Sequence, residues 1–103
     1  MSNEFSYRIF REGTNVLLAV SDLSIIGKTF EEGDLQIEVS EEFYHGKECS
    51  KGTVLKLIKD ATIVNAVGNR IIELMVKEKI VDKDIILIIN GVPHAQIIKI
   101  KSD

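Results

Sequence analysis

The stretch Ala61–Lys79, ATIVNAVGNRIIELMVKEK, constrains this chain more than any other. Placed at 100° steps, Ile63, Val64, Val67, Ile71, Leu74 and Met75 fall on one stripe, and Ile72 and Val76 widen it past half the circumference. This spacing predicts a helix about 28 Å long, buried on more than one side. Thr62, Asn65, Asn69, Arg70, Glu73 and Lys77 form the remaining polar strip. Just upstream, Val54, Leu57, Ile58 and Ala61 share a second helical face, with Lys56, Lys59 and Asp60 opposite and Ser50 or Thr53 as the cap. The two apolar faces differ in phase by about a quarter turn. A break or bend near Ala61-Thr62 is therefore expected, giving two helices; a single helix buried on two sides is the alternative.

The flanking segments have strand character. SYRIFREGTNVLLAVSD reads as a hairpin turning at Glu12-Gly13, with Val16–Val20 as a nearly continuous apolar, central strand. Asp22 and Ser24 break the run before Ile25-Ile26, and Gly27 interrupts another short extended piece that ends at Phe30. Glu31-Glu32-Gly33-Asp34 signals a turn before Leu35–Val39, which alternates as a half-buried strand. SEEFYHGKECS (Ser40–Ser50) has neither period and reads as a loop anchored by Phe43 and Tyr44. Ile85–Ile89, the turn Asn90-Gly91, and a closing strand through Ile97, Ile98 and Ile100 with lysines pointing outwards complete the chain. Pro93 donates no ladder bond, which places the last strand at an edge or starts it after the proline. The expected architecture is one α+β domain over residues 1–103, with N-terminal antiparallel strands, a central helical segment and a C-terminal β-hairpin.

With 45% hydrophobic and 28% charged residues, the 103-residue chain has the balance of a globular protein able to bury a core, so an ordered chain is expected. It has no apolar run long enough to span a membrane, and MSNEFSYR lacks the pattern of a signal peptide. A cytoplasmic setting is expected, in keeping with the lone Cys49. The net charge of −3 argues against indiscriminate nucleic-acid binding. The average conceals a split. Residues 1–48 carry ten acids and four bases, whereas residues 49–103 carry six acids and nine bases. Uneven spread by chance is one reading; a dipolar surface that steers a partner is the other.

Chemistry-bearing residues are sparse. His45, Cys49 and His94 offer three zinc-type donors, but no CxxC or HxxxH pair anchors them, and a solvated His45 explains the loop more simply. Cys49 has no base held beside it by spacing. The pairs Glu31-Glu32 and Glu41-Glu42 lie in turn-like sequence, where carboxylates are solvated. Gly27-Lys28-Thr29 lacks the upstream glycine and the following helix of a phosphate loop. No catalytic, metal or cofactor residue is assigned, and no cofactor is expected. Lys47, Lys51, Lys56 and Lys59 are candidate phosphate contacts, against a solvated helix face. Asn65 and Asn69, one turn apart in the expected helix beside Gly68, join Arg70, His94 and Gln96 as a candidate partner or ligand site, with core-border hydrogen bonding as the plainer reading. In that site Asn90–Gln96 would be a turn stiffened by Pro93 that presents His94 and Gln96.

Taken together, REGTNVLLAVSD, GKTFEEGDLQIEVSEEFYHGK, ATIVNAVGNRIIELMVKEKIVD and INGVPHAQIIKI resemble the archaeal family called domain of unknown function four-two-four, over nearly the whole chain from about Ser6 to Ile100. The resemblance implies small archaeal relatives, with a glycine more often at the position of His45. It implies no particular activity; an RNA or translation connection is its family-level expectation. The combined reading is a non-catalytic interaction module for a protein or an RNA–protein assembly, with no membrane association. The alternative is a small-molecule enzyme or binder using a polar site between the middle helix and the C-terminal hairpin.

Overall fold

The computed structural model describes residues 3–99. Ile100 and Lys101 of the expected closing strand lie outside the described residues. Eight strands and three helices follow in the order β1 (Phe5–Glu12), β2 (Asn15–Asp22), β3 (Thr29–Glu32), β4 (Leu35–Glu38), α1 (Glu41–Tyr44), β5 (Lys47–Cys49), α2 (Lys51–Asp60), β6 (Ile63–Val67), α3 (Asn69–Lys77), β7 (Leu87–Ile89) and β8 (Val92–Ile98). Six strands form one sheet in the order β5-β1-β2-β6-β8-β7, and β3-β4 form a separate hairpin. Among the described residues only β2 and β6 run parallel, with Leu17 to Ser21 opposite Ile63 to Val67. A parallel pair needs a long return, and here it contains the β3-β4 hairpin, α1, β5 and α2.

The nearly continuous apolar run of β2 follows from burial on both of its faces. Leu18 and Val20 join a core with Phe5, Val64, Ala66 and Ala95, covered by Val54 and Ile58 of α2 and by Ile71, Ile72, Leu74 and Met75 of α3. On the opposite face Ala19, Val67 and Val92 meet Val39 and Tyr44, with Phe10, Phe30, Ile37 and Phe43 packed around them. The sheet is thus the middle of three layers: α2 and α3 on one side, the β3-β4 hairpin and α1 on the other. The anchoring role expected of Phe43 and Tyr44 is present, although the expected loop forms a one-turn helix and a short strand. Ser40 caps that turn by accepting the Phe43 N–H.

The long-helix expectation is corrected over its first eight residues, 61–68. The break after α2 does occur, but Ile63–Val67 is strand β6, and helix begins only at Asn69. Apolar residues at Ile63, Val64, Ala66 and Val67 satisfy a helical stripe by count, yet a short apolar, β-branched run flanked by glycine equally fits a strand buried on both faces. Tertiary pairing with β2 on one side and β8 on the other decides in favour of the strand. Gly68 ends it at φ 125°, where a side chain would be strained, and a Cβ added there would lie 2.4 Å from the carboxyl carbon of Asp22.

Pro93 brings a second correction, because β8 is an inner strand that contains it. Its missing N–H costs no ladder bond. On the β6 side the pairing has already ended: Gly68 donates to the Pro93 carbonyl at 3.0 Å, while the Gly68 carbonyl accepts Ile72 N–H of α3 at 3.1 Å. The turn is confined to Asn90-Gly91, so His94 and Gln96 stand in β8 rather than in a presenting loop. At its other end α3 stops as Lys79 turns to φ 59°, with Ile80 N–H bonding the Met75 carbonyl and Lys79 N–H the Val76 carbonyl.

Leu74 is buried in the larger core and Lys77 is exposed. Denaturant unfolding should therefore show a loss of about 2–5 kcal/mol for Leu74→Ala and about 0.5 kcal/mol or less for Lys77→Ala. Equal small losses would mean that α3 turns another face to the sheet.

Candidate functional site

Strand alternation divides the five candidate partner or ligand residues between two places. Asn65 lies directly opposite Gln96, and His94 opposite Val67, all on the sheet face that carries the hairpin. Asn69 and Arg70 stand beyond Gly68 in the first turn of α3, both exposed. The structure therefore joins Asn65, His94 and Gln96 but does not bring Asn69 or Arg70 to them. Four open cavities of about 310–440 Å³ are present among the described residues, and none of these four is lined by Asn65, His94 or Gln96.

Sequence reasoning passed over Asp22, read only as a strand breaker. It is 4% exposed at the C-terminal end of β2, where its Oδ2 accepts Arg70 N–H at 2.9 Å and its Oδ1 accepts Ile71 N–H at 2.8 Å. Burial raises its pKa above the usual carboxylate value, and these two bonds together with the Arg70 charge pull the other way. Its place is informative. A helix N-terminus beside the carboxyl ends of parallel strands is a common seat for an anionic ligand, and here the protein's own carboxylate occupies it. The only advance signal was an acid closing an apolar strand far upstream of Gly68-Asn69-Arg70, a pairing visible only once β2 and β6 are adjacent. Arg70 reaches across to the carboxylate of Glu4 in a largely exposed ion pair. Such pairs add little stability.

The four candidate lysines are exposed and lie on the helical side of the sheet. Lys47 pairs with Tyr7 on β5, in phase with buried Cys49, while Lys56 and Lys59 stand on the outer face of α2. Lys51 faces a groove of about 370 Å³ between α2 and α3 that it shares with Arg70, Lys77, Glu4 and Glu73. Ser50 holds the N-cap position of α2, but its side chain makes no capping bond. Charge is sorted by layer. Residues 51–79, which supply both helices, contain six bases and three acids, whereas residues 28–45, which supply the hairpin and α1, contain six acids and one base.

The zinc-type donors are kept apart. Cys49 lies on β5 and His94 on β8, four strand spacings away and roughly 19 Å at about 4.8 Å per spacing. Burial pushes the Cys49 thiol up to about 11, so it carries little thiolate at neutral pH. Burial likewise raises Tyr44 to about 12. Among the described residues, no three His, Cys, Asp or Glu side chains cluster as a metal site. Glu41 and Glu42 lie in the first turn of α1, and Glu32 accepts the Asn90 N–H at 2.6 Å. Gly27-Lys28-Thr29 leads into a strand rather than a helix. Arg8 lies over the Phe10 ring at 4.9 Å, Phe10 stacks on Phe43 at 5.3 Å, and the Arg8 guanidinium donates to the Glu42 carbonyl.

This mixed sheet, with helices on one face and a hairpin on the other, is a fold already seen in a solved structure. The chain belongs to the family described as Protein of unknown function (DUF424), whose model matches residues 10–100. It is similar to the crystal structure of an uncharacterized conserved protein from Methanopyrus kandleri, at 24% identity over 96% of each chain with a TM-score of 0.78. No curated protein matches. Among the described residues, no helix is long and apolar enough to cross a membrane.

Two outcomes follow from the buried groups. Asp22→Ala leaves two N–H groups of α3 without their acceptor, so chemical unfolding should show a loss of about 2–4 kcal/mol, and a smaller loss for Asp22→Asn, which keeps one acceptor. Burial lowers the pKa of His94 below its ordinary 6.5. The unfolded chain then takes up this proton first as pH falls. Stability should decline from just above pH 6.5 down to the folded-state value and fall no further on this account, and His94→Gln should remove that part of the slope in a pH series of unfolding curves.

Proposed function

We propose that this protein is a non-catalytic interaction module that meets RNA, alone or within an RNA–protein assembly, through its helical layer. The observation that carries this reading is the sorting of charge between the two faces of one sheet, with bases over α2 and α3 and acids over the hairpin and α1. A polyphosphate approaching such a molecule is attracted to one face and repelled by the other, so charge selects the docking side even though the whole chain is acidic. Lys47, Lys51, Lys56 and Lys59, joined by Arg70 and Lys77, would contact phosphates. The largely exposed lysines carry no base-reading geometry, which favours recognition of backbone over sequence. A cytoplasmic setting is part of this reading, supported by the free thiol of Cys49.

The small-molecule reading rests on Asn65, His94 and Gln96, which share one sheet face. It has less support, because Asn69 and Arg70, which were to complete that site, lie in the first turn of α3 and are not brought to those three.

Binding of a single-stranded RNA across a range of salt concentrations tests the proposal. For Lys56→Ala/Lys59→Ala the affinity should fall, and the slope of log K against log salt should become shallower by about 1.4 for two lost phosphate contacts. RNA binding that is absent at low salt, or unchanged by the double substitution, would leave these lysines as a solvated face.

A further inference from the structure

Strand β7 is an outer edge of the sheet guarded at one end only, where Glu32 of the hairpin accepts the outward Asn90 N–H. Natural sheets guard their edges with charges, bulges or covering segments. Here the edge reads Leu87-Ile88-Ile89, with Leu87 45% and Ile88 57% exposed. Ile85, just before it, is 54% exposed. Leu35 on β4 is 45% exposed and is the pairing partner of Glu32, the residue that binds Asn90 at the far end of β7. Four half-exposed aliphatic side chains therefore gather along one short strand.

The turn dictates which way the backbone of this edge faces. Asn90 and Gly91 have φ of 48° and 81°, both positive as in a two-residue type I′ reversal. Its closing pair, Ile89 and Val92, is the hydrogen-bonded kind, so the next pair, Ile88 and Pro93, is the open kind. Pro93 agrees, because it has no N–H to give and its carbonyl is taken by Gly68 on the opposite side. The Ile88 N–H and C=O consequently point out of the sheet.

We propose that a second copy of this chain occupies this edge, with β7 pairing antiparallel to β7 of the second copy about a two-fold axis at Ile88. The edge is complementary to itself. Each Ile88 would donate to and accept from the other, and the antiparallel direction sets the Ile85 end of one strand against the Asn90 end of the other, where Leu35 stands. Ile88 thus meets Ile88 and Leu87 falls opposite Ile89 of the other copy, and the same contact occurs twice, as a closed two-fold interface requires. Size is consistent with a dimer of modest affinity. A standard interface starts near 1,200 Å² in total, or roughly 600 Å² per copy, about a tenth of this chain's 6738 Å². A three-residue strand and four half-exposed aliphatic side chains supply only part of that area, which sets the dimer at the weak end of the range. The product is a twelve-stranded sheet with both helical layers on the same side, and it forms whether or not those layers bind RNA.

Sedimentation equilibrium from micromolar to millimolar concentration tests this on the intact chain. Wild type should pass from monomer to dimer within the range. Ile88→Pro removes only the outward N–H, which the β7-β8 ladder does not use, so it should stay folded by circular dichroism and weaken the dimer at least tenfold. Ile88→Lys should do the same by placing a charge at the axis. Ile88→Cys should cross-link into a disulfide-bonded dimer on mild oxidation, because a hydrogen-bonded antiparallel pair sets its Cα atoms about 5.5 Å apart, within disulfide reach. Should Ile88→Pro prove unfolded, the lysine variant and the cross-link decide. A wild type that stays monomeric, including one that instead takes a strand from another protein, would overturn the proposal. So would a dimer indifferent to Ile88→Lys, or no cross-link for Ile88→Cys.

Discussion

The carboxylate of Asp22 against the first turn of α3 is the contact on which the central architecture turns. It joins the end of β2 to the start of the helix that leaves β6, so this parallel pair of strands is tied together at its carboxyl end. Two further features depend on that junction. Gly68 must be glycine because a Cβ would collide with the carboxylate, and β6 must leave the sheet there. Its departure is what lets Pro93 sit inside an inner strand without leaving an orphaned ladder position. Three residues distant in sequence, Asp22, Gly68 and Pro93, are thus parts of one local solution for bringing a chain out of a sheet and into a helix.

That solution also limits what the fold does chemically. The helix end that would receive an anion in many such arrangements is already filled by the protein's own acid, so this end of α3 offers no free backbone cradle for a phosphate. The sheet adds a second asymmetry. It separates a basic layer from an acidic one, and a low-dielectric core between them preserves the resulting field better than water would. Charge that looks like a mild compositional drift along the chain becomes a difference between two faces.

Much of the fold was legible in local patterns. The N-terminal hairpin, the central position of β2, the face of α2 and the reversal at Asn90-Gly91 all follow from period, turn chemistry and β-branched runs that act over a few residues. The candidate site was legible only in part. Asn65, His94 and Gln96 do share a face, but the reason is strand pairing between β6 and β8, not the helical spacing that grouped Asn65 with Asn69. Asp22 carried no local mark of its role, since an acid after a strand looks the same whether it faces water or caps a helix forty-eight residues later.

By itself the sequence determined the α+β composition, the apolar residues that had to be buried, the turns that glycine and asparagine permit, and the uneven distribution of charge. These depend on short-range sterics and on solvation of individual side chains. Only the tertiary structure decided that Ile63–Val67 is a strand, that Pro93 belongs inside the sheet, that Asp22 caps α3, and that the charge split separates two layers. Each of these turns on pairing across long stretches of chain: a short apolar run satisfies helix and strand equally until neighbouring strands supply partners for its backbone.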